Sequence, residues 1–316
     1  MPIIDAYGHV SLPRFLSAED FLRVMDTHDV AAAVLSTADT CPDAQELSRA
    51  LVSYPDRFRV IGIPLGADAA GRRDNIRRQL DSGFSGIRLP ATLIAAQPDL
   101  LEVIGDAGGC IIAVGDRGLH AAAREIAGFL DRYDRSFAIA GHFGGPTDPA
   151  LLDTDAAVAR LFAHPRLHVA FTRHGAMAHL PVEHWAQALL ARIGWQRALW
   201  GSEWPVALWR DETYASTLDW ALRLAPDAAQ LAAFRYGNAQ RLFFAAGAAH
   251  ARKIDPDMDL MTFRKPADVW LFPPSLNVSE ARHRALYHAY VAWGGEARGA
   301  YSEFFLQMAE RGIRAV

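Results

Sequence analysis

Lysine is almost missing from this sequence. Of 32 basic residues only Lys253 and Lys265 are lysines, so residues 1–252 hold no lysine chemistry. Cysteine is equally scarce. Cys41 and Cys110 make neither a zinc ribbon nor a disulfide framework, and a reducing, cytoplasmic setting is the expectation. No apolar run reaches the length of a membrane span. The opening Pro2-Ile3-Ile4-Asp5 follows no basic leader, so a signal peptide is not expected. Basic residues do not exceed acidic ones: 32 face 36, for a formal net charge of −4. Without a basic block, nucleic acid and anionic membrane are not expected partners.

What is present is ordinary globular composition, 51% hydrophobic and 22% charged over 316 residues. A chain of this length buries most of its apolar surface and needs no metal or cross-link merely to fold. Short apolar runs at 3–6, 30–35, 59–63, 85–89, 110–114, 137–140, 167–172 and 198–200 read as strands. Amphipathic stretches lie between them. Ser17-Ala18-Glu19-Asp20 opens one, with Phe21, Leu22, Val24 and Met25 on one face. Others are read at 42–52, 119–133, 154–163, 182–193 and 211–224. Strands alternating with helices pair in parallel through right-handed crossovers. Eight such units in about 245 residues predict an α/β fold, a closed (β/α)8 TIM barrel. No glycine-rich G-x-G-x-x-G turn follows the first strand, which counts against an open doubly wound sheet.

The barrel is expected over 1–247, with an added C-terminal helical extension over 248–316. Pro256, Pro266, Pro273 and Pro274 predict an extended start to that extension. Helices then follow from Ser279 to about Trp293 and, past Gly294-Gly295, to about Arg311. Tyr287, Tyr290, Trp293, Phe304 and Phe305 are too apolar for a free tail, so it is expected to pack on the barrel or on a second subunit. A homodimer is the default expectation for a soluble chain.

Barrel enzymes carry their chemistry at the carboxyl ends of the strands. Here those ends carry Tyr7 and His9 (first strand), Arg88 (fourth) and Asp116 and Arg117 (fifth). They go on with His142 (sixth), Arg173 and His174 (seventh) and Glu203 with Trp204 (eighth). Glu203 among aromatic residues suits a catalytic base. His142 lies beside the tight Gly144-Gly145-Pro146 turn. Arg88, Arg117 and Arg173 could clamp a carboxylate bidentately. The alternative is pairing within the protein, with Asp116 or Asp5 as partners.

These residues fall in motifs. They are Ile3-Ile4-Asp5-Ala6-Tyr7-Gly8-His9, Phe84-Ser85-Gly86-Ile87-Arg88-Leu89, Gly141-His142-Phe143-Gly144-Gly145-Pro146 and Leu199-Trp200-Gly201-Ser202-Glu203-Trp204-Pro205. A closing Tyr236-Gly237-Asn238-Ala239-Gln240-Arg241-Leu242-Phe243 follows. In this order the chain resembles the amidohydrolase-related family, TIM-barrel metal-dependent hydrolases that include lactonases and aminocarboxymuconate-type decarboxylases. The resemblance covers about residues 2–244. It implies a D-x-H-x-H first strand, here with Tyr7 in place of the first histidine, and a G-S-D-W-P eighth strand, here with Glu203 in place of the aspartate. The fifth-strand histidine of decarboxylase-like members would fall near Gly115 and is missing, and the lysine-bridged two-metal centre is excluded by the absence of lysine from the barrel.

Two readings of the site stay open. In one, His9, His142 and Glu203 bind a single zinc or manganese ion that lowers the pKa of a bound water, with Tyr7 bonded to that water or acting as a fourth ligand. In the other no metal binds, Glu203 is the general base, and His9 and His142 orient water or polarise a carbonyl. His174 is a further catalytic candidate, and Arg88, Arg117, Arg173 and Trp204 are the expected substrate-binding residues. The expected reaction is hydrolysis of a C–O or C–N bond in a small carboxylated lactone, cyclic amide or related molecule. A metal-dependent decarboxylase and a catalytically silent barrel serving as a binding or assembly subunit are the alternatives.

Overall fold

The computed structural model describes residues 2–11, 15–38, 43–115, 118–145, 149–174, 182–206 and 212–245. Eight strands run as β1 (Ile3–His9), β2 (Val30–Ser36), β3 (Phe58–Gly62), β4 (Gly86–Pro90), β5 (Cys110–Val114), β6 (Ala138–Ala140), β7 (Leu167–Phe171) and β8 (Ala198–Trp200). They pair in parallel in sequence order from β1 to β8. The chain leaving β8 returns to β1: the Glu203 amide donates to the Tyr7 carbonyl at 2.7 Å, and the His9 amide to the Trp204 carbonyl at 2.9 Å. This is the expected (β/α)8 barrel. The expected extension at 248–316 lies outside the described residues, as do Arg117 and Asp116.

Alternation along each strand divides the core in two. Ile4, Ala32, Val34, Ile61, Ile112 and Leu199 fill the interior, while Leu35, Val60, Ile87, Leu89, Ile111 and Val169 pack outward under the helices. Each fully buried Val, Leu or Ile contributes about 1.5–3 kcal/mol. The base is closed by the segment 233–244, where Phe243 meets Phe137 with ring centroids 5.4 Å apart. Asn238 ties that segment to β8 by donating to the Trp195 and Ala198 carbonyls, 2.8 Å each.

Helix starts follow local chemistry. Ser17, Asp43 and Asp155 accept from the first-turn amides of helices Ala18–Thr27, Ala44–Ser53 and Ala156–Ala163. The helix predicted at 211–224 begins instead at Tyr214, where Thr213 caps it, and tightens into a 3-10 turn from Trp220. The structure adds helices Ala69–Asp81, Ala91–Ala96 and Asp99–Asp106. The first buries only Asn75, Ile76, Gln79 and Leu80, so its apolar stripe is too narrow to stand out by periodicity. No helix among the described residues is long and apolar enough to cross a membrane.

One interior residue marks the fold's response to acid. His168 on β7 lies 4% exposed, edge-on to Phe137, and burial, with Arg241 and Arg197 adding, pushes its pKa down to about 3. Unfolded histidine takes a proton below about 6.5. The folded protein refuses it until about pH 3, so this stability is complete above 6.5 and is lost as pH falls through that window. Between pH 6.5 and 4 the loss is about 3 kcal/mol. His168→Phe should flatten the pH dependence of the urea midpoint over that range. An unchanged slope would remove His168 from the account.

Candidate active site

The first strand sets the site through an irregularity. Asp5 pairs with Ala33 and Gly8 with Leu35, so three steps on β1 match two on β2, a bulge of one residue. Strict alternation would keep Asp5 and Tyr7 on one face. With the bulge, Asp5 turns outward, Ala6 and Tyr7 both join the interior cluster, and Gly8 turns outward again. Gly8 has no room for a Cβ, which would sit 2.4 Å from the Phe21 ring. Gly201 is constrained likewise, since a Cβ there would lie 2.6 Å from Tyr7 Cβ. Gly8 therefore lets β1 seat against Phe21, and Gly201 lets the end of β8 pass close beside Tyr7.

Below the ring sits a fully buried anchor. Asp5 Oδ1 accepts from the Tyr7 and Ser202 amides at 3.1 and 2.9 Å, and Oδ2 from Ser202 Oγ and the Tyr214 hydroxyl at 2.5 and 2.9 Å. Burial pushes the Asp5 carboxyl up from its ordinary value while these four donors pull it down, and the net direction is up. The Tyr214 phenol is pushed well above its ordinary value by burial and by Asp5. Asp5 is thus not the partner of Arg88.

Above the anchor the predicted residues converge. Glu203, 1% exposed, accepts from Arg173 Nε at 2.7 Å on Oε1, and His142 Nε2 lies 3.6 Å from the same oxygen. His142 Nδ1 is 2.6 Å from Thr172 Oγ1, which holds the ring's rotation. The Tyr7 ring stands edge-on to His9 and His142, with centroids 5.0 and 5.3 Å away. Arg88 Nε donates to the Tyr7 hydroxyl at 2.9 Å. Burial pushes the Tyr7 phenol up, Arg88 and Arg173 oppose this, and Glu203 adds to it, with a net rise. His142, Arg173 and Glu203 have φ of 53°, 63° and 53°, the left-handed region that non-glycine residues avoid. Such strain clusters at functional sites.

Tyr7, His9, Arg88, His142, Arg173 and Glu203 therefore share one cluster. His174 and Trp204 do not join it. His174 stacks on Trp220 at 5.7 Å, with Nδ1 3.8 Å from Glu212 Oε1, and Trp204 packs edge-on to Tyr214 in the outer layer. Two arginines expected to clamp substrate are engaged inside the protein, Arg88 with Tyr7 and Arg173 with Glu203. Thr172, Ser202 and Tyr214 support the cluster and were missed by the strand-end reading. Thr172 and Ser202 stood beside residues already singled out, so widening that reading by one position finds them.

The resemblance would place a divalent ion among His9, His142 and Glu203. Among the described residues no group of three histidine, cysteine, aspartate or glutamate side chains is placed to hold one. The guanidinium of Arg173 holds Glu203 Oε1 and would repel a cation at that oxygen.

The comparisons agree with the architecture. A family profile described as "Amidohydrolase" matches residues 4–245. No curated protein matches the chain. Among solved structures, a probable 2-pyrone-4,6-dicarboxylic acid hydrolase from Acinetobacter baumannii with citric acid bound is 17% identical. It covers 77% of this chain and 99% of its own, with a TM-score of 0.59. A 2,6-dihydroxybenzoate decarboxylase complexed with 2,6-dihydroxybenzoate is 14% identical over 77% and 98%, with a TM-score of 0.57. An amidohydrolase from Burkholderia multivorans with bound zinc is 19% identical over 76% and 98%, with a TM-score of 0.54. At such identities these likenesses speak for the fold, whereas the profile spans most of the chain: the protein belongs to the amidohydrolase family.

Proposed function

We propose that the barrel mouth hydrolyses a C–O or C–N bond of a small anionic ring compound, a carboxylated lactone or cyclic amide, with Glu203 as general base and no resident metal. The observation that carries this reading is the buried Glu203 carboxylate, held at Oε1 by Arg173 and flanked by His142. With Oε1 engaged, Oε2 takes the proton from water. The water oxygen bonds to the ring carbonyl carbon, and the carbonyl pair moves onto its oxygen. When that pair returns, the ring C–O or C–N bond breaks, and the proton on Glu203 passes to the leaving oxygen or nitrogen. His142, fixed by Thr172, and His9 orient the water and the carbonyl. Arg88 and Arg173 bring two guanidinium groups to the cluster, in keeping with an anionic substrate. The hydrolase from Acinetobacter baumannii, named for a dicarboxylated pyrone, makes that ring the first compound to try.

The test is a panel assay on purified protein. It should contain 2-pyrone-4,6-dicarboxylate, a carboxylated γ-lactone, a carboxylated cyclic amide and 2,6-dihydroxybenzoate, each followed before and after exhaustive chelation. Ring opening that survives chelation is expected. Release of carbon dioxide from 2,6-dihydroxybenzoate would favour decarboxylation instead. Stoichiometric zinc or manganese, with activity lost to the chelator, would reject the metal-free mechanism.

A further inference from the structure

The Tyr7 phenol has one contact that does not balance. Its oxygen accepts a hydrogen bond from Arg88 Nε at 2.9 Å, while its own O–H proton finds no acceptor among the described residues. The side chain is 1% exposed, so water does not routinely serve as that acceptor. A buried hydroxyl donor left in this way is costly unless something arrives to take it. The ring is packed edge-on against both His9 and His142, so the donor sits within the cluster that holds the proposed base.

We infer that Tyr7 is the electrophilic donor of the site, its hydroxyl hydrogen-bonding to the oxyanion formed from the substrate carbonyl, and that Arg88 is a positioning residue that aims and polarises this phenol. The inference rests on the hydrolytic reading above and adds the group that answers the base. A preorganised donor inside a water-poor cavity stabilises developing charge without reorganising. Accepting from a guanidinium makes a phenol a stronger donor, because hydrogen bonds in series polarise one another. The proton stays on Tyr7 throughout. Burial holds the phenol above its ordinary value, in keeping with a donor rather than an acid. Arg88 then has a task other than gripping a substrate carboxylate.

The test compares two ligands on the whole protein by titration calorimetry. One is 3-[hydroxy(methyl)phosphoryl]propanoate, whose tetrahedral phosphinate anion imitates the oxyanion. The other is succinate, which carries a flat carboxylate at the same place. Tyr7→Phe should weaken the phosphinate tenfold or more and succinate less than twofold. Arg88→Met should weaken the phosphinate about threefold to tenfold, spare succinate, and add nothing in the Tyr7→Phe background, since it acts through the phenol. If Tyr7→Phe does not fold by circular dichroism, the Arg88→Met comparison carries the test alone. On any ring compound the enzyme opens, Tyr7→Phe should lower kcat about 100-fold with KM changed less than threefold.

Equal weakening of both ligands, weakening of succinate alone, or no weakening would overturn the donor role, as would a wild-type protein that binds no phosphinate. A protein that opens no ring yet discriminates the phosphinate through Tyr7 would end the hydrolytic reading and keep the donor pair. Ring opening that needs Glu203 and ignores Tyr7→Phe would do the reverse.

Discussion

Glu203→Gln is expected to lower kcat about 1,000-fold on whichever ring compound the protein opens, because it removes the only cluster carboxylate among the described residues that can take a proton from water. The amide keeps a carbonyl oxygen for Arg173 Nε, now 2.7 Å from Oε1, so the local geometry is retained. It does not keep the negative charge that faces the Arg173 guanidinium. Removing one partner of a buried pair destabilises by about 3–5 kcal/mol. The retained hydrogen bond should hold the cost near the lower end of that range. The measurements are steady-state kinetics beside a urea melt of the same preparation. Activity within threefold of wild type would eliminate Glu203 as the base. It would also revive the reading of the barrel as a binding or assembly subunit.

Asp5→Ala should have the largest effect on stability, about 4 kcal/mol, and should abolish activity with it. Four donors converge on this fully buried carboxylate, two of them backbone amides that cannot turn elsewhere. Each buried donor left unsatisfied costs about 1–3 kcal/mol, and the two hydroxyls recover part of that by rotating. For a domain of this size the melting temperature should fall by about 10 °C. The functional loss follows from position. The Asp5 bonds tie the amides of Tyr7 and Ser202 together, immediately beneath the phenol and the base. Asp5→Asn keeps an acceptor for both amides and presents an NH2 to hydroxyls that can turn and accept, so its cost should be nearer 1 kcal/mol. Thermal melts of the two variants check the claim. Similar losses for Ala and Asn would mean that packing, not the donors, accounts for Asp5.

Much of the site was legible because barrel topology turns sequence order into geometry. Once eight strands are recognised, whatever follows each one lies around the same mouth, and Tyr7, His9, Arg88, His142, Arg173 and Glu203 were found in that way. His174 and Trp204 show the limit of the rule. Each directly follows a residue with left-handed φ, Arg173 at 63° and Glu203 at 53°. The turn aims the first side chain into the cluster and sends the next against Trp220 or Tyr214. Backbone handedness at a single residue is not encoded in apolar periodicity, so neighbours looked equivalent.

From its sequence alone this protein was determined to be a parallel eight-stranded barrel of amidohydrolase type, with a polar ring at the strand ends and a tyrosine where the family carries a histidine. Alternating apolar runs and spaced motifs are local properties, and they suffice for that much. Only the tertiary structure decided that Asp5 turns away from Tyr7 through the β1 bulge, that Arg173 neutralises Glu203, and that Arg88 serves the phenol. These are matters of ångströms between residues as many as 81 positions apart. The strength of a charge pair or hydrogen bond depends on that distance, and nothing in the order of the residues specifies it.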